Sequence, residues 1–250
     1  MLEPFSSFEK HQDLKGLHLF HAQSSNCSMR ARFLFAEKSL QYVSHIININ
    51  AQENLHSKYL KIHPNGLVPS LVHDGKTVPG SDNILLYIED NFPNPKLSPK
   101  DPQAIEAMKK WVTLAADFQI AGVKPYSYSR RKTVNKSQYI MSKYANLIAD
   151  RELVDFHLQT INGFDAVTIR NADKLVYQIY EELNAQLSQK CWIMGAQFTL
   201  ADIAWSTPHL SLGRAGFTLE PFPHVKTWVK RLEQRPAYIE QMQFMLGIGQ

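Results

Sequence analysis

The clearest structural signal in the chain is Asn65-Gly66-Leu67-Val68-Pro69-Ser70-Leu71-Val72-His73-Asp74-Gly75-Lys76-Thr77-Val78, followed by Pro79-Gly80-Ser81-Asp82-Asn83-Ile84. Asp74-Gly75 favours the positive φ angles of a tight hairpin turn, so antiparallel strands are predicted over Ser70–His73 and Lys76–Val78. Pro69 opens the first strand, where its missing N–H removes no ladder hydrogen bond and an X-Pro bond can be cis. Ser81 predicts the N-cap of a following helix, whose apolar positions are Ile84, Leu85 and Ile88.

The sequence before this segment predicts a strand, a helix and a second strand. Leu17–His21 is a short apolar run, and Ala22–Asn26 is a loop of cap-forming residues before a helix that runs to about Lys38. The β-branched run Tyr42–Ile47 predicts a buried strand parallel to the first. A short helix over Asn54–Ile62 then leads to the hairpin, so the first part of the chain is α/β.

A proline-rich stretch divides the chain. Four prolines between Phe92 and Pro102 exclude a regular element and predict a stiff linker over residues 92–101. Residues 1–16 are polar without a period and predict a surface extension, residues 17–91 form an α/β domain, and residues 102–250 form an all-helical one. Apolar periodicity predicts these helical segments: Ile105–Ile120, Gln138–Ile148, Ala166–Leu187, Leu200–Leu212 and Val225–Leu232.

A capping box gives the sharpest signal in the helical part. Thr199 is predicted as N-cap with Asp202 at the third helical position, and Phe198 and Ile203 form a hydrophobic staple. A helix is therefore expected to begin at Thr199.

Composition narrows the class of protein. The net charge of +4 is mild, and the basic stretch around Arg130 is interleaved with tyrosines, as on a solvated helix face or in a small-molecule pocket, so we expect no nucleic-acid partner. No run of eighteen apolar residues and no signal peptide is present, so we expect a cytoplasmic protein without a membrane partner. Cys27, Cys191 and the histidines lack metal-ligand spacing, and no phosphate-binding glycine loop appears, which predicts neither a metal nor a nucleotide cofactor.

Several motifs in order resemble the glutathione S-transferase family. These are Ser24-Ser25-Asn26-Cys27-Ser28-Met29-Arg30 after the first strand, Ile62–Leu71 with its Val68-Pro69, Gly80-Ser81-Asp82-Asn83-Ile84, Phe198-Thr199-Leu200-Ala201-Asp202, and Trp228 with Arg235-Pro236-Ala237. The resemblance spans Leu17 to Gln243. The long helical domain with Asn162-Gly163-Phe164 is similar to the branch that includes the lignin β-etherases, and the serine-rich loop is similar to the zeta class.

This resemblance implies a thioredoxin-like N-terminal domain, a helical C-terminal domain, a homodimer, and glutathione as co-substrate. One departure concerns Gly80, because most members have an acidic residue or Gln there, which would bind the glutamyl ammonium. A side-chain partner for this ammonium is therefore missing unless Asp82 or a partner subunit supplies one, and without one glutathione binding would be weakened.

Thiol activation is expected at the Ser24–Ser28 loop, because a helix N-terminus with a hydroxyl donor favours a thiolate. The zeta-like pattern matches the working hydroxyl to Ser25, a cysteine-based pattern matches Cys27, and the etherase-like pattern matches Ser28. Ser25 ranks first, while a purely capping role for Ser25 is the alternative.

The resemblance also places the two substrates. The backbone of Val68 before a cis Pro69 would pair with the cysteinyl part of glutathione, and Ser81 would bind the γ-glutamyl carboxylate. A hydrophobic electrophile would lie against aromatic residues of the helical domain, for which we name Trp111, Phe118, Tyr126 and Tyr128.

Three functions remain open at this point. The first is a transferase that activates the glutathione thiol for attack on a small hydrophobic electrophile, with aryl ether cleavage as its specific form. The second is a non-catalytic ligand-binding or interaction protein on the same fold. The third is thiol transfer through Cys27, since a cysteine at a helix start is acidified.

Overall fold

The structure, a computed structural model, describes residues 2–3, 9–130 and 138–248. It contains a sheet of five strands in the order β1-β3-β2-β4-β5. The strands are β1 (Leu2–Glu3), β2 (Leu17–His21), β3 (Val43–Ile46), β4 (Ser70–His73) and β5 (Lys76–Pro79). β1, β3 and β2 are parallel to one another, and β4 and β5 are antiparallel to their neighbours. The predicted hairpin is confirmed, with positive φ at both Asp74 and Gly75.

Both faces of the sheet are covered, because successive residues of a strand point to opposite sides. Leu19 of β2 and Leu71 of β4 belong to the main hydrophobic cluster, which includes α1 (Asn26–Glu37) and α3 (Ser81–Asn91). Phe20 and Val72, the next residues along, pack on the other face in a smaller cluster. Tyr59 of α2 (Ser57–Leu60) covers that face.

After Pro102 the regular elements of the described chain are helices. They are α4 (Pro102–Phe118), α5 (Lys124–Arg130), α6 (Gln138–Leu147), α7 (Arg151–Asn162), α8 (Ala166–Leu187), α9 (Leu200–Trp205), α10 (Pro208–Arg214), α11 (Pro223–Leu232) and α12 (Pro236–Leu246). A π-helix, Gln119–Val123, joins α4 to α5. The described part of the chain has no strand after Pro102, so the predicted α/β and all-helical classes are confirmed. Among these helices, none has the length and apolar character that crossing a bilayer needs.

The motifs near the C-terminus hold the helical part together. Asp202 is buried and accepts hydrogen bonds from the Ile193 and Thr199 N–H groups and from the Trp228 indole, each at 2.9 Å. The predicted capping box at Thr199 is therefore confirmed, and the same carboxylate anchors α11. Arg235, before α12, forms a bidentate pair with Glu37 of α1 at 2.7 and 2.6 Å, which ties the last helix to the sheet side.

Several elements differ from the sequence-based predictions. Leu2–Glu3 adds a short strand at the sheet edge, where a surface extension was expected, because its backbone pairs with Ser44 and His45. The helix predicted over Leu200–Leu212 is two helices, because Pro208 begins a new one. The N-cap of α3 is Gly80 and not Ser81, which is already helical. Helices α5, α7 and α12 had no predicted counterpart. No regular element lies between α3 and α4, and the domain boundary at residues 92–101 stays a prediction.

Candidate active site

A cavity of about 780 Å³ lies between the sheet side of the molecule and the helices that follow Pro102. We call its two sides the sheet wall and the helical wall. The sheet wall consists of Ser24, Ser25, Asn26, Cys27, Ile49, Asn50, Gln52, Asn54, His63, Gly66, Leu67, Val68, Gly80, Ser81 and Asp82. The helical wall consists of Ala116, Asp117, Gln119, Ile120, Val123, Lys124, Ser127, Tyr128, Ile140, Tyr144, His157, Ser211 and Arg214.

The start of α1 forms the centre of the sheet wall. Ser25 is the N-cap, and its Oγ accepts a hydrogen bond from the Ser28 N–H at 3.2 Å. The N–H groups of Asn26 and Cys27 have no acceptor within the helix, because the first turn lacks one by geometry. These groups and the helix dipole favour a negative charge in the cavity next to Ser25.

The three candidate side chains of this loop differ in position. Ser25 and Cys27 line the cavity, and both are half-buried. Ser28 is fully buried outside the cavity lining, where its Oγ accepts from the Ala22 N–H at 3.1 Å. The structure therefore brings Ser25 and Cys27 to the cavity, whereas Ser28 supports the loop from behind.

Arg30 supplies positive charge beneath the helix start. Its buried guanidinium donates to Thr207 Oγ1 at 3.1 Å and to the Ala115 carbonyl at 3.4 Å. Burial lowers the pKa of Arg30, and the nearby Cys27 and Asp82 partly offset that effect. The charge of Arg30 therefore reaches the sheet wall, although its side chain does not line it.

The loop before β4 presents backbone groups to the cavity. The Val68-Pro69 peptide bond is cis, as the sequence suggested. No hydrogen bond between described residues uses the N–H or C=O of Val68. Asn54 also lines the cavity and holds this loop in place, because its amide donates to the Gly66 carbonyl and the Tyr144 hydroxyl, each at 2.9 Å. An extended peptide could pair with Val68 as an added strand.

The start of α3 is the third part of the sheet wall. Gly80 has φ of 89°, a conformation that favours glycine, and its N–H donates to the Pro69 carbonyl at 3.1 Å. A Cβ at this position would lie 2.9 Å from Asp82 Oδ1. The Asp82 carboxylate thus lies next to the place where the side chain of an acidic residue at position 80 would start. Ser81 lines the cavity, and its hydroxyl makes no hydrogen bond within the described chain.

The aromatic residues predicted for the second substrate are mostly in the core. Phe118 is buried and stacks on Trp205 at 5.4 Å between ring centroids, and Trp111 packs edge-on against Trp205 at 5.6 Å. Tyr126 is buried beneath Arg130, whose guanidinium lies 3.8 Å from its ring centroid. Only Tyr128 of the predicted set lines the cavity. The other three lie outside the lining of this cavity, because helix packing, which sequence spacing does not give, turns them towards the core.

The helical wall instead presents polar residues that the sequence did not indicate. Gln119 and Lys124 lie at either end of the π-helix, and His157 of α7 and Arg214 of α10 lie further along the same wall. His63 also lines the cavity, and burial lowers its pKa to about 4, so its imidazole is neutral at neutral pH. No local motif marks Gln119, Lys124, His157 or Arg214, because each is a single polar side chain in an ordinary helix or at the end of the π-helix.

Two other expectations concern a metal site and the basic stretch around Arg130. Among the described residues, no group of His, Cys, Asp and Glu is arranged to hold a metal ion. Arg131, Lys132 and Lys136 of the basic stretch lie outside the described residues. Arg130 forms an ion pair with Asp173 at 2.9 Å, so this member of the stretch has a structural partner.

Comparison with known proteins gives consistent results along the chain. Residues 19–96 match the N-terminal domain of glutathione S-transferases, and residues 131–236 match their C-terminal domain. Glutathione S-transferase Z1 from Arabidopsis thaliana is 33% identical over 224 residues, which covers 89% of each chain. The tetrachloro-p-hydroquinone reductive dehalogenase of Sphingobium chlorophenolicum is 23% identical, with 88% of this chain and 93% of that protein covered.

A solved structure is also similar. The crystal structure of the β-etherase LigF from Sphingobium sp. strain SYK-6 has a TM-score of 0.81 and 25% identity, and the match covers 91% of this chain and 98% of that one. Sequence and fold therefore agree, and the chain belongs to the glutathione S-transferase family.

Proposed function

We propose that this protein ionises the thiol of glutathione at the start of α1 and directs it at a small hydrophobic electrophile bound against the helical wall. The observation that carries the proposal is the convergence of Ser25, Val68 and Ser81 on one cavity. These groups come from three separate elements of the chain. Each offers the kind of contact that a different part of glutathione requires.

Glutathione would lie along the sheet wall. The cysteinyl amide and carbonyl would pair with the free backbone groups of Val68, and the γ-glutamyl carboxylate would accept from Ser81 at the start of α3. Asp82 would bind the γ-glutamyl ammonium, because its carboxylate takes the space next to the glycine at residue 80. With glycine at residue 80, the carboxylate that binds the ammonium would come from Asp82 and would still be present.

Thiol activation is assigned to Ser25. Its oxygen already accepts from the Ser28 N–H, so its own O–H remains available to donate to a sulfur anion. The dipole of α1 and the buried charge of Arg30 act in the same direction. A thiolate held here would be stable at a pH where free glutathione is mostly protonated.

Aryl ether cleavage is the more specific form of this proposal, and the similarity to LigF supports it. In such a reaction the thiolate attacks the carbon that bears the aryl ether oxygen. A C–S bond forms, the C–O bond breaks, and the aryl oxide leaves with the electron pair and takes a proton from solvent. Turnover on a panel of β-aryl ethers, haloalkanes and chloroaromatics distinguishes this form from general transferase activity.

Thiol transfer through Cys27 is a second candidate, favoured by its position in the first turn of α1 and in the cavity lining. A thiolate at Cys27 would attack a glutathione disulfide, form the mixed disulfide, and release one glutathione thiolate.

Side-by-side substitution of the loop residues tests the assignment. Ser25→Ala should lower turnover at neutral pH about 10- to 1000-fold, equivalent to about 1.4 to 4 kcal/mol, by removing a charge-assisted hydrogen bond in the transition state. Cys27→Ala should leave turnover nearly unchanged. Ser28→Ala should lower the free energy of unfolding more than it lowers turnover. If Ser25→Ala keeps the wild-type rate and Cys27→Ala abolishes it, the thiol-transfer function replaces the first. Retention on glutathione-agarose without turnover of any electrophile would favour a binding protein.

Two further properties belong to the proposal. We propose a homodimer, which sedimentation at micromolar concentration tests, since a monomer there would contradict it. We also propose a cytoplasmic location, which cell fractionation tests.

A further inference from the structure

Lys124 is a positively charged residue on the helical wall and has no acidic partner among the described residues. Its side chain is half-buried and lines the cavity, and its ammonium lies 5.5 Å from the ring centroid of Phe156. None of the ion pairs in the described ranges involves Lys124. The undescribed segment 131–137, which follows α5, contains Arg131, Lys132 and Lys136 but neither Asp nor Glu. That segment therefore supplies no countercharge.

Burial of an unpaired ammonium is costly, which makes Lys124 an unusual choice for a structural role. Burial lowers its pKa, while the Cys27 thiol on the opposite wall acts to raise it, so Lys124 lies within electrostatic reach of the start of α1. Two acidic residues line the cavity. Asp82 belongs to the sheet wall, and Asp117 is exposed on α4, where solvent screens its charge. Arg214 adds a second positive charge to the helical wall.

Gln119 provides an independent observation at the same place. Its side chain is 8% exposed and lines the cavity, and its Oε1 has no hydrogen-bond partner in the part of the chain that the structure describes. Buried carboxamides normally have a partner, so an unpaired one at a cavity points to a missing ligand. The assignment of oxygen and nitrogen can be exchanged by rotation of the amide, which lets Gln119 donate as well as accept.

The π-helix places these two residues together. The Lys124 N–H donates to the Gln119 carbonyl, so the residues are one π turn apart along the helix. Gly122 lies inside that turn, where a Cβ would be 2.5 Å from the Phe118 ring. The irregular turn is thus built into the packing of α4, and π turns are frequent at functional sites.

We propose that Lys124 and Gln119 form a subsite for an oxyanion of the second substrate, so that this protein prefers electrophiles that carry a carboxylate. This inference rests on the proposed transferase function. The ammonium binds the carboxylate by a charge-assisted hydrogen bond, and the carboxamide donates a second hydrogen bond. The glutathione thiolate attacks the electrophilic carbon from the sheet wall, a C–S bond forms, and the leaving group departs with its electron pair.

A matched pair of substrates tests the subsite. Chloronitrobenzoate and chloronitrobenzamide share the same reacting carbon and chloride leaving group, and they differ in the carboxylate. For the wild type we expect kcat/KM to be about 10- to 100-fold higher for the acid. Lys124→Met should remove most of this preference while changing the rate with the amide by less than about threefold, and Lys124→Arg should restore part of it. Gln119→Leu should reduce the preference less than Lys124→Met does.

Lys110→Met is the control for the loss of one positive charge, because Lys110 is exposed on α4 and outside the cavity lining. Equal rates with acid and amide in the wild type would overturn the inference. A loss of the amide rate in Lys124→Met, with a raised pKa of the bound glutathione thiol, would also overturn it, because Lys124 would then serve the thiolate. If the wild type converts neither compound, the proposed function fails, and calorimetric binding of the two glutathione conjugates then tests the subsite separately. Equal affinity for the two conjugates would overturn it.

Discussion

The two walls of the cavity obtain their chemistry in different ways. On the sheet wall, the groups available to a ligand are mostly backbone groups: the N–H groups at the start of α1, the groups of Val68, and the start of α3 after Gly80. On the helical wall, single side chains such as Gln119 and Lys124 reach the cavity from ordinary helices. The first arrangement suits a constant ligand such as glutathione, whereas the second can change by one substitution and suits a variable one.

The largest effect is expected at the capping box of α9, a backbone-binding motif like those of the sheet wall but located among the helices. Asp202→Ala leaves the Ile193 and Thr199 N–H groups and the Trp228 indole without their acceptor. We expect a loss of about 3 to 5 kcal/mol in the free energy of unfolding, typical of breaking a buried charged network. Urea unfolding measures it at a pH well above 6, because burial raises the pKa of Asp202 to about 6.

Thr199→Ala is the comparison for that experiment, because it removes the N-cap hydroxyl and leaves the carboxylate in place. We expect about 1 kcal/mol for that change. Equal losses for the two variants would show that the network around Asp202 matters no more than an ordinary cap.

The π-helix of the helical wall gives the next effect. Gly122→Ala places a Cβ 2.5 Å from the Phe118 ring, which is buried against Trp205. Because that ring cannot move freely, we expect a loss of about 1 to 3 kcal/mol in thermal or urea unfolding. The matched control is Gly213→Ala, another helical glycine, which has open space around its Cβ and should gain up to about 1 kcal/mol. A stable Gly122→Ala variant would mean that the turn relaxes, and its preference between acid and amide should then change.

The difference between backbone motifs and single side chains also explains how much of the fold and the site the sequence predicted. Asp74-Gly75, Val68-Pro69 and Thr199 with Asp202 were recognisable because a particular backbone conformation requires those residue types within a few positions. Gly80 departs from the family pattern in sequence, but the sequence does not indicate its role as N-cap, because serine, as at Ser81, is the more common capping residue. The loop serines were identified as a group, but burial of Ser28 could only be learned from the structure.

The helical wall could not be predicted in the same way. Trp111, Phe118 and Tyr126 fit the composition of a hydrophobic pocket, yet the rotation and packing of α4 and α5 turn them away from the cavity. The π-helix adds an extra residue to one turn, which changes the face of every residue after Gln119. Long-range pairing was equally hidden, since Leu2–Glu3 joins the sheet through contacts with residues more than forty positions away.

Asp82 on the sheet wall and Asp117 on the helical wall can be compared by their effect on KM for glutathione. Asp82→Asn should raise KM for glutathione about tenfold with little change in kcat, because a charge-assisted hydrogen bond to the glutamyl ammonium becomes a neutral one. Asp117→Asn removes an acidic group from the helical wall and should leave this KM unchanged. Steady-state kinetics with saturating electrophile measure both. An unchanged KM in Asp82→Asn would mean that a partner subunit, and not Asp82, binds the glutamyl ammonium.

A further effect concerns acid stability and arises behind the sheet wall. His21 in β2 is fully buried, and its Nδ1 lies 3.2 Å from Arg32 Nη1, a donor, while its Nε2 lies 2.6 Å from Ser44 Oγ. Burial, Arg32 and His45 lower the pKa of His21 to about 3. Below about pH 6.5, His21 binds a proton in the unfolded chain, whereas in the folded chain it stays neutral until about pH 3. Stability is therefore lost as pH falls below about 6.5 and continues to fall towards pH 3.

His21→Gln removes this titration and keeps a polar group beside Arg32 and Ser44. The free energy of unfolding should then fall less steeply between about pH 6.5 and 4.5, with the slope reduced by up to about 1.4 kcal/mol per pH unit, the value for one proton. Because all four tryptophans follow residue 102, fluorescence reports the helical side. One hydrophobic cluster joins it to β2, so fluorescence should detect the change at His21. His224→Gln, at an exposed histidine, is the control. A change seen by circular dichroism but not by fluorescence would mean that the two sides unfold separately.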